Sequence, residues 1–352
     1  MFRMQIQSKK KCIWYCSAAV SFLLFLLLNL WCDHLVNMQD AQQMAGRWSE
    51  KKDVAQISCF FSSKAEVTED TIQSFEYSLK NVLQEASITE TSENPSARLW
   101  VDAYSADGKI TLVNGRNTLD ANAIGIGGDF FLFHPLKLIT GSYFSGNDLM
   151  QDYCIIDQDA AWQLFGSNDV VGMTVYIGNV PHIVTGVVRR PQGRMEKAAG
   201  LTSTVVYVSY ETLEAYGTSN GINHYEIVMP NPVDEFAYGK VKEGIGIDEK
   251  NVEIVENSRR YSLPNRIKTI LAFGTRSMNG KAIIYPYWEN LARGYEDIIA
   301  LLTVFMLFLL LYPVVTVIWC FVHWWRHKGW TLKDVWPVSY THLRAHETTL
   351  HL

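Results

Sequence analysis

Two stretches of this chain are apolar from end to end, and the sequence between them alternates. The first is Ile13–Cys32, IWYCSAAVSFLLFLLLNLWC, which holds no charge and one mid-run amide, Asn29. The second, Ile298–Val322, IIALLTVFMLFLLLYPVVTVIWCFV, is longer and equally free of charge. A helix rises about 1.5 Å per residue, so about twenty residues cross the roughly 30 Å hydrocarbon core of a bilayer. The pattern predicts transmembrane helices over residues 13–36 and 298–322. Pro313 should kink the second, because its ring removes a backbone donor and strikes the preceding turn. Runs of this length do not read as buried core helices.

Between the runs the period shifts from segment to segment. Val54–Phe61 reads as a strand. Thr68, followed by Glu69 and Asp70, starts a helix with apolar positions at Ile72, Phe75, Leu79, Val82 and Leu83. Leu99–Tyr104 and Lys109–Val113 flank Ala106-Asp107-Gly108 and predict a hairpin. Cys154–Asp157 reads as a strand and Asp159–Phe165 as a short helix. Thr174–Ile177 and His182–Val188 flank Gly178-Asn179, a second hairpin. Thr204–Val208, Tyr225–Met229 and Val252–Val255 complete the strands. The middle of the chain, residues 37–297, is thus expected to be a mixed α+β domain. Residues 33–48 have no Pro, and no Gly before Gly46, so the first span should continue outward as a helical stalk. Residues 287–297 should form a second stalk, interrupted by Gly294.

Charge assigns the sides. Residues 37–296 carry 23 Lys and Arg against 32 Asp and Glu, whereas the rest of the chain carries 8 against 4. The basic residues Arg3, Lys9, Lys10 and Lys11 precede the first span, and Arg326 and Lys328, with His327, follow the second. By the positive-inside rule residues 1–12 and 323–337 are cytoplasmic and the acidic middle is extracytoplasmic. Trp14, Tyr15 and Trp31, and Tyr287, Trp288, Tyr295, Trp319, Trp324 and Trp325, suit aromatic belts. The acidic balance excludes a basic nucleic-acid-binding domain. A cleaved signal peptide fits the first run less well than an uncleaved anchor: the run is long and no A-x-A site follows it.

The residues offer little catalytic chemistry. Gly166–Thr174, GSNDVVGMT, lacks the Lys of a phosphate-cradling loop. Gly125-Ile126-Gly127-Gly128 lacks dinucleotide-binding spacing. His134, His182 and His224 are scattered and read as surface or satisfied interior residues rather than ligands. Asp157 and Asp159 read as helix caps before paired acid–base groups. Arg189, Arg190 and Arg194 read as a solvated turn before an anion contact. Cys12, Cys16, Cys32 and Cys320 lie in or beside the spans. Cys59 and Cys154 read as buried small hydrophobes, with one disulfide between them as the alternative. No residue is therefore assigned a catalytic, cofactor-binding or metal-binding role.

The segment Gly141–Val188 carries a resemblance. Gly141, Ser142, Tyr143 and Phe144, then Leu164, Phe165 and Gly166, then Val171, Gly172 and Val175, then Gly186 and Val187, follow the order found in the MacB/FtsX-like ABC transporter permeases. Ser142 replaces a usual basic residue, and Val170 stands where Pro is common. The chain resembles that family over roughly residues 1–325. The resemblance implies a MacB-like periplasmic core between two transmembrane helices of a bacterial inner-membrane permease. It implies no cofactor in this chain, ATP being bound by a partner ABC-type ATPase, and a homodimer or a pair with a sister permease. It also implies outer or periplasmic partners in efflux, lipoprotein release or cell-envelope regulation. Family members usually have four spans, and residues 323–336 do not match the usual ATPase-contacting segment. Val338–Leu352, VSYTHLRAHETTLHL, resembles translated adapter sequence, so a non-native tail on a fragment is expected, with further spans in the intact frame. The rival reading is a two-span sensory receptor with a truncated signalling module; a membrane-anchored enzyme is disfavoured by the missing constellation.

Overall fold

The computed structural model describes residues 2–49, 53–89, 98–273 and 283–328. The expectations placed on residues 329–352, including the tail from Val338, lie outside the described residues. In chain order the elements are α1 (Phe2–Asn37), α2 (Met44–Trp48), β1 (Val54–Phe61), α3 (Glu69–Glu85), β2 (Val101–Asn114), β3 (Asn117–Gly128), α4 (Phe130–Phe133) and β4 (Leu138–Gly141). There follow β5 (Tyr153–Asp157), α5 (Gln158–Phe165), β6 (Thr174–Ile177), β7 (Val180–Val188), α6 (Arg194–Ala198), β8 (Val205–Ser209) and α7 (Tyr210–Tyr216). The chain then forms β9 (Thr218–Ser219), β10 (His224–Pro230), α8 (Phe236–Gly244), β11 (Val252–Glu256), α9 (Leu263–Leu271) and α10 (Tyr287–His327). Two compact units result: the chain up to Cys32 together with the chain from Leu302 onward, and Asp33–Leu301.

In the first unit α1 and the later part of α10 present long apolar side chains outward, as lipid-facing helices do; Leu23, Leu27, Phe308 and Leu311 are all exposed. Small residues line the seam. Ser17 Oγ lies 2.7 Å from the Tyr312 hydroxyl, and Ser21 Oγ donates to the Leu309 carbonyl at 2.7 Å. The rings of Trp14 and Trp319 meet edge-on at 4.8 Å. Small and hydroxylated residues are what apolar helices use to approach one another where no hydrophobic force separates helix from lipid. The helix α10 runs through Pro313 without a break.

In the second unit the strands form one mixed sheet, in the order β11-β1-β10-β2-β3-β8-β5-β7-β4, with β6 joined to β2 and β7 and β9 joined to β2. The pairs β3–β8 and β5–β7 are parallel. Strand periodicity sends alternate residues to opposite faces. On β1, Ala55, Ile57, Cys59 and Phe61 enter the larger core, and Ile72, Phe75, Leu79 and Leu83 of α3 cover it, with Leu164 of α5, Leu213 of α7 and Val241 of α8. The helix α3 starts with a reciprocal cap between Thr68 and Thr71. Cys59 and Cys154 are buried in this core as free thiols, so the disulfide alternative is set aside.

Three expectations are corrected. Ala106-Asp107-Gly108 is not a turn: β2 runs through it, and the hairpin closes at Gly115-Arg116, where Asn114 faces Asn117 and Gly115 takes φ +59°. Gly108 instead makes room for a neighbour. A Cβ there would stand 2.4 Å from the Thr218 carbonyl oxygen and 2.9 Å from Leu213 Cδ1. The first stalk does not continue to residue 48. The helix α1 ends at Asn37 because Gln39, at φ −99° and ψ 78°, turns its side chain back and donates from Nε2 to the Leu35 carbonyl at 3.1 Å. Side-chain capping of a terminal carbonyl ends a helix that holds no Gly or Pro. Gly294 does not interrupt α10 either; a Cβ there would stand 3.1 Å from the Met195 methyl. The strand β3 and the helices α7, α8 and α9 were not anticipated.

Two outcomes follow from this packing. Gly108→Val should lower stability by about 2 kcal/mol by overpacking the β9–α7 contact, seen as a lower Tm of the detergent-solubilised chain, with wild-type melting the contrary result. Glu76 on α3 faces Asp102 of β2, and burial first, then that second carboxylate, push its pKa up to about 8. The folded state thus holds its proton more tightly than the unfolded chain does. Stability therefore falls as pH rises from the ordinary glutamate value toward about 8. Glu76→Gln should raise Tm at alkaline pH by a few degrees and flatten that dependence; a Tm unchanged at alkaline pH would contradict it.

Candidate functional site

The second face of the sheet is built from the other half of the strand periodicity. On β10 the sequence HYEIVMP sends Tyr225, Ile227 and Met229 to the larger core, and His224, Glu226 and Val228 the opposite way. On β1, Gln56 faces Val228 and Ser58 faces Glu226. Two short helices and the first turn of α10 cover this face with Met44, Ala45, Phe130, Phe131, Phe133 and Trp288. Gln56 fastens α2 to it: its Oε1 accepts from the Met44 amide at 2.9 Å, and its Nε2 donates to the Ala41 carbonyl at 2.6 Å.

His134, at the end of α4, reaches the same place. His134 Nε2 stands 2.7 Å from Glu226 Oε2, and His224 Nε2 stands 3.5 Å from Glu226 Oε1. All three residues are buried, and their donor atoms lie within 4.8 Å of one another. Ser58 donates to Glu226 Oε1 and accepts from Asn257 Nδ2 at 2.7 Å. Burial lowers the His134 pKa. Burial would raise that of Glu226, but the two imidazoles outweigh it and hold the carboxyl below the usual range. Glu226 is the buried acid that pattern reading overlooked. A polar pair at i and i+2 in an otherwise apolar strand was its one local mark.

The roots of both span helices meet the loop after β11. Arg260, 3% exposed in its side chain, makes two 2.7 Å contacts to Glu289 and one to Glu296, both on α10. Burial opposes its charge, and the two carboxylates more than restore it, so its pKa stands well above the usual value. Arg293 continues the network, 2.6 Å from Glu289 and 2.6 Å from Glu253 of β11. The next residue, Tyr261, donates its hydroxyl to Gln39 Oε1, the side chain that ends α1. One short loop therefore fixes both helix roots, through Gln39 on one side and Glu289 and Glu296 on the other. The i, i+4 spacing of Glu289 and Arg293 was visible in the sequence, but its buried partner Arg260 was not.

The remaining sequence candidates fall elsewhere. His182 is a satisfied interior histidine, its Nδ1 3.0 Å from the Val180 carbonyl and its Nε2 3.2 Å from Thr212 Oγ1. Asp157 caps α5, accepting from the Ala160 amide at 2.8 Å. Arg190 lies against both Asp157 and Asp159 and is mostly buried, so it is not part of a solvated turn. Gly125–Gly128 is the end of β3 rather than a loop. Gly141 ends β4, Gly166 ends α5 in the left-handed conformation, and Gly186 lies beside a register shift between β5 and β7.

Residues 39–254, more than half of the chain, match the family described as MacB-like periplasmic core domain. The chain belongs to this family. It is 31% identical over 98 residues to the macrolide export ATP-binding/permease protein MacB of Pasteurella multocida, an alignment covering 27% of this chain and 14% of that protein. The protein of the same name from Chromobacterium violaceum is 31% identical over 96 residues, with the same shares covered. The chain thus matches a small part of the length of these relatives. The crystal structure of the periplasmic region of MacB from Actinobacillus actinomycetemcomitans shares 20% identity at a TM-score of 0.39, covering 63% of this chain and 94% of that one. The resemblance read in Gly141–Val188 lies inside the matched segment. The outer unit is a MacB-like core of the kind found in ABC transporter permeases, flanked by two transmembrane helices.

Removing the cation from the joint should show its weight. Arg260→Ala leaves Glu289 and Glu296 buried without their partner and should cost about 3–5 kcal/mol. Thermal unfolding of the detergent-solubilised chain would report it, and a loss no larger than that of a surface arginine would contradict a buried joint.

Proposed function

We propose that this chain is the permease subunit of an ABC transporter of the MacB/FtsX type, coupling ATP hydrolysis on a separate ATPase to movement of its outer core. One observation carries the reading beyond family membership. The helix α10 begins inside the core, pinned there through Glu289 and Glu296, and continues without a break into the second apolar run. A helix so rooted transmits axial displacement, because its backbone hydrogen bonds resist stretching and the ion pairs resist slippage. The relatives matched are named ATP-binding/permease proteins. ATP on a partner ABC-type ATPase and a non-catalytic role for this chain are part of the proposal.

In this reading residues 13–36 and 298–322 cross the bacterial inner membrane. Residues 1–12 and 323–337 are cytoplasmic and residues 37–297 are extracytoplasmic. The chain works as a homodimer or beside a sister permease, with an outer or periplasmic partner. Efflux, lipoprotein release and cell-envelope regulation are the forms of work such a movement serves.

Two measurements test it. A cysteine placed at the fully exposed Leu149 should react with an impermeant maleimide in intact spheroplasts. Reaction only after permeabilisation would place the core on the wrong side. Co-reconstitution in nanodiscs with an ABC-type ATPase from the same organism should change that enzyme's hydrolysis rate severalfold. An unchanged rate, with both proteins folded and the topology correct, would count against coupling and favour a receptor.

A further inference from the structure

We propose that His134, His224 and Glu226 form a structural binding site for a single borderline divalent cation of the zinc type, buried on the second face of the sheet. The donor set is the first reason. Two imidazoles and one carboxylate are a combination that zinc prefers, and three protein ligands leave one coordination position for water. The second reason is that these atoms lack other partners. His134 Nε2, His224 Nε2 and Glu226 Oε2 are buried and meet no polar partner outside the cluster itself. Buried polar atoms are rarely left in that condition, because each forfeits the hydrogen bonds that water gave it.

Geometry is the third reason. Ligand bonds of about 2.0–2.2 Å at tetrahedral angles place donor atoms about 3.3–3.5 Å apart. Here His134 Nε2 stands 2.7 Å from Glu226 Oε2, and one ligand atom from each residue lies within 4.8 Å of the others, a spread that contains that distance. The outer partners also suit ligation. Ser105 Oγ lies 3.3 Å from His224 Nδ1, on the far side of the ring from the proposed ion, where it can fix the tautomer. Ser58, itself held by Asn257, donates to the second oxygen of Glu226. The rings of Trp288, Phe60 and Phe130 wall the two imidazoles at centroid distances of 4.3–5.3 Å. The ion would tie the end of α4 to β10 directly beneath the first turn of α10. This inference stands independently of any transport role.

The test uses the full-length chain in detergent, carrying a tag free of histidine. Because His323 and His327 form a neighbouring i, i+4 pair on α10, the measurements are made on the His323→Ala/His327→Ala chain as well as the wild type. Elemental analysis after dialysis against a weak chelator should give about one zinc per chain in both. A strong chelator should remove it and lower Tm, and zinc should restore Tm. Cobalt added to the stripped chain should give the visible absorption of a low-symmetry site, and His224→Gln and Glu226→Gln should abolish it. If those variants fail to fold, the chelator and cobalt measurements on the His323→Ala/His327→Ala chain decide alone. A folded chain that holds no metal, and whose Tm responds to neither chelator nor zinc, would mean that the three residues are only a buried ion cluster and would overturn the proposal.

Discussion

The outer core depends on one buried cation. Arg260 sits in the short loop between β11 and α9, and through it the sheet holds the first three turns of α10. A buried guanidinium is tolerable only when its donors are matched, and the fork of Glu289 with the added Glu296 achieves this. The same loop gives Tyr261 to Gln39, where α1 ends. Neither contact contributes much hydrophobic burial. What they contribute is position: the root of α10 cannot slide along the sheet without parting buried charges, nor that of α1 without losing the Tyr261–Gln39 hydrogen bond.

The two faces of the sheet divide the labour. One face is an ordinary apolar core, covered by α3, α5, α7 and α8 and continuous from Ala55 to Val252. The other face is smaller and mixes aromatic rings with buried polar groups, Gln56, Ser58, His134, His224 and Glu226 among them. Gln56 holds α2, and Trp288 caps the imidazoles. Polar groups in a dry layer specify register more sharply than apolar ones, since a slip of one residue on β1 or β10 would drive them into the larger core. The side of the sheet that meets the membrane helices' roots is therefore the side with the more stringent geometry.

Membership of the MacB-like family rests on the matched segment, residues 39–254. The helix roots described here straddle it: Gln39 opens the segment, whereas Arg260, Glu289 and Glu296 lie beyond its end.

The residues alone determined the elements whose signals are local. The two apolar runs, β1, α3 with its Thr68 cap, α5 ending at Gly166, and the Gly178-Asn179 hairpin each follow from periodicity or turn chemistry within a dozen positions. Tertiary structure decided the rest. ANAIGIGG became the strand β3 because β2 and β8 pair with it on both sides. Gly108, a turn residue by composition, became a gap for Thr218. A helix with no breaker stopped at Asn37 because Gln39 found Leu35 and Tyr261. Above all, His134 and His224, ninety residues apart in the chain, share one carboxylate, and Arg260 meets Glu289 and Glu296. Charges pair by distance in space, and distance in space is set by sheet order, which no local pattern of side chains encodes.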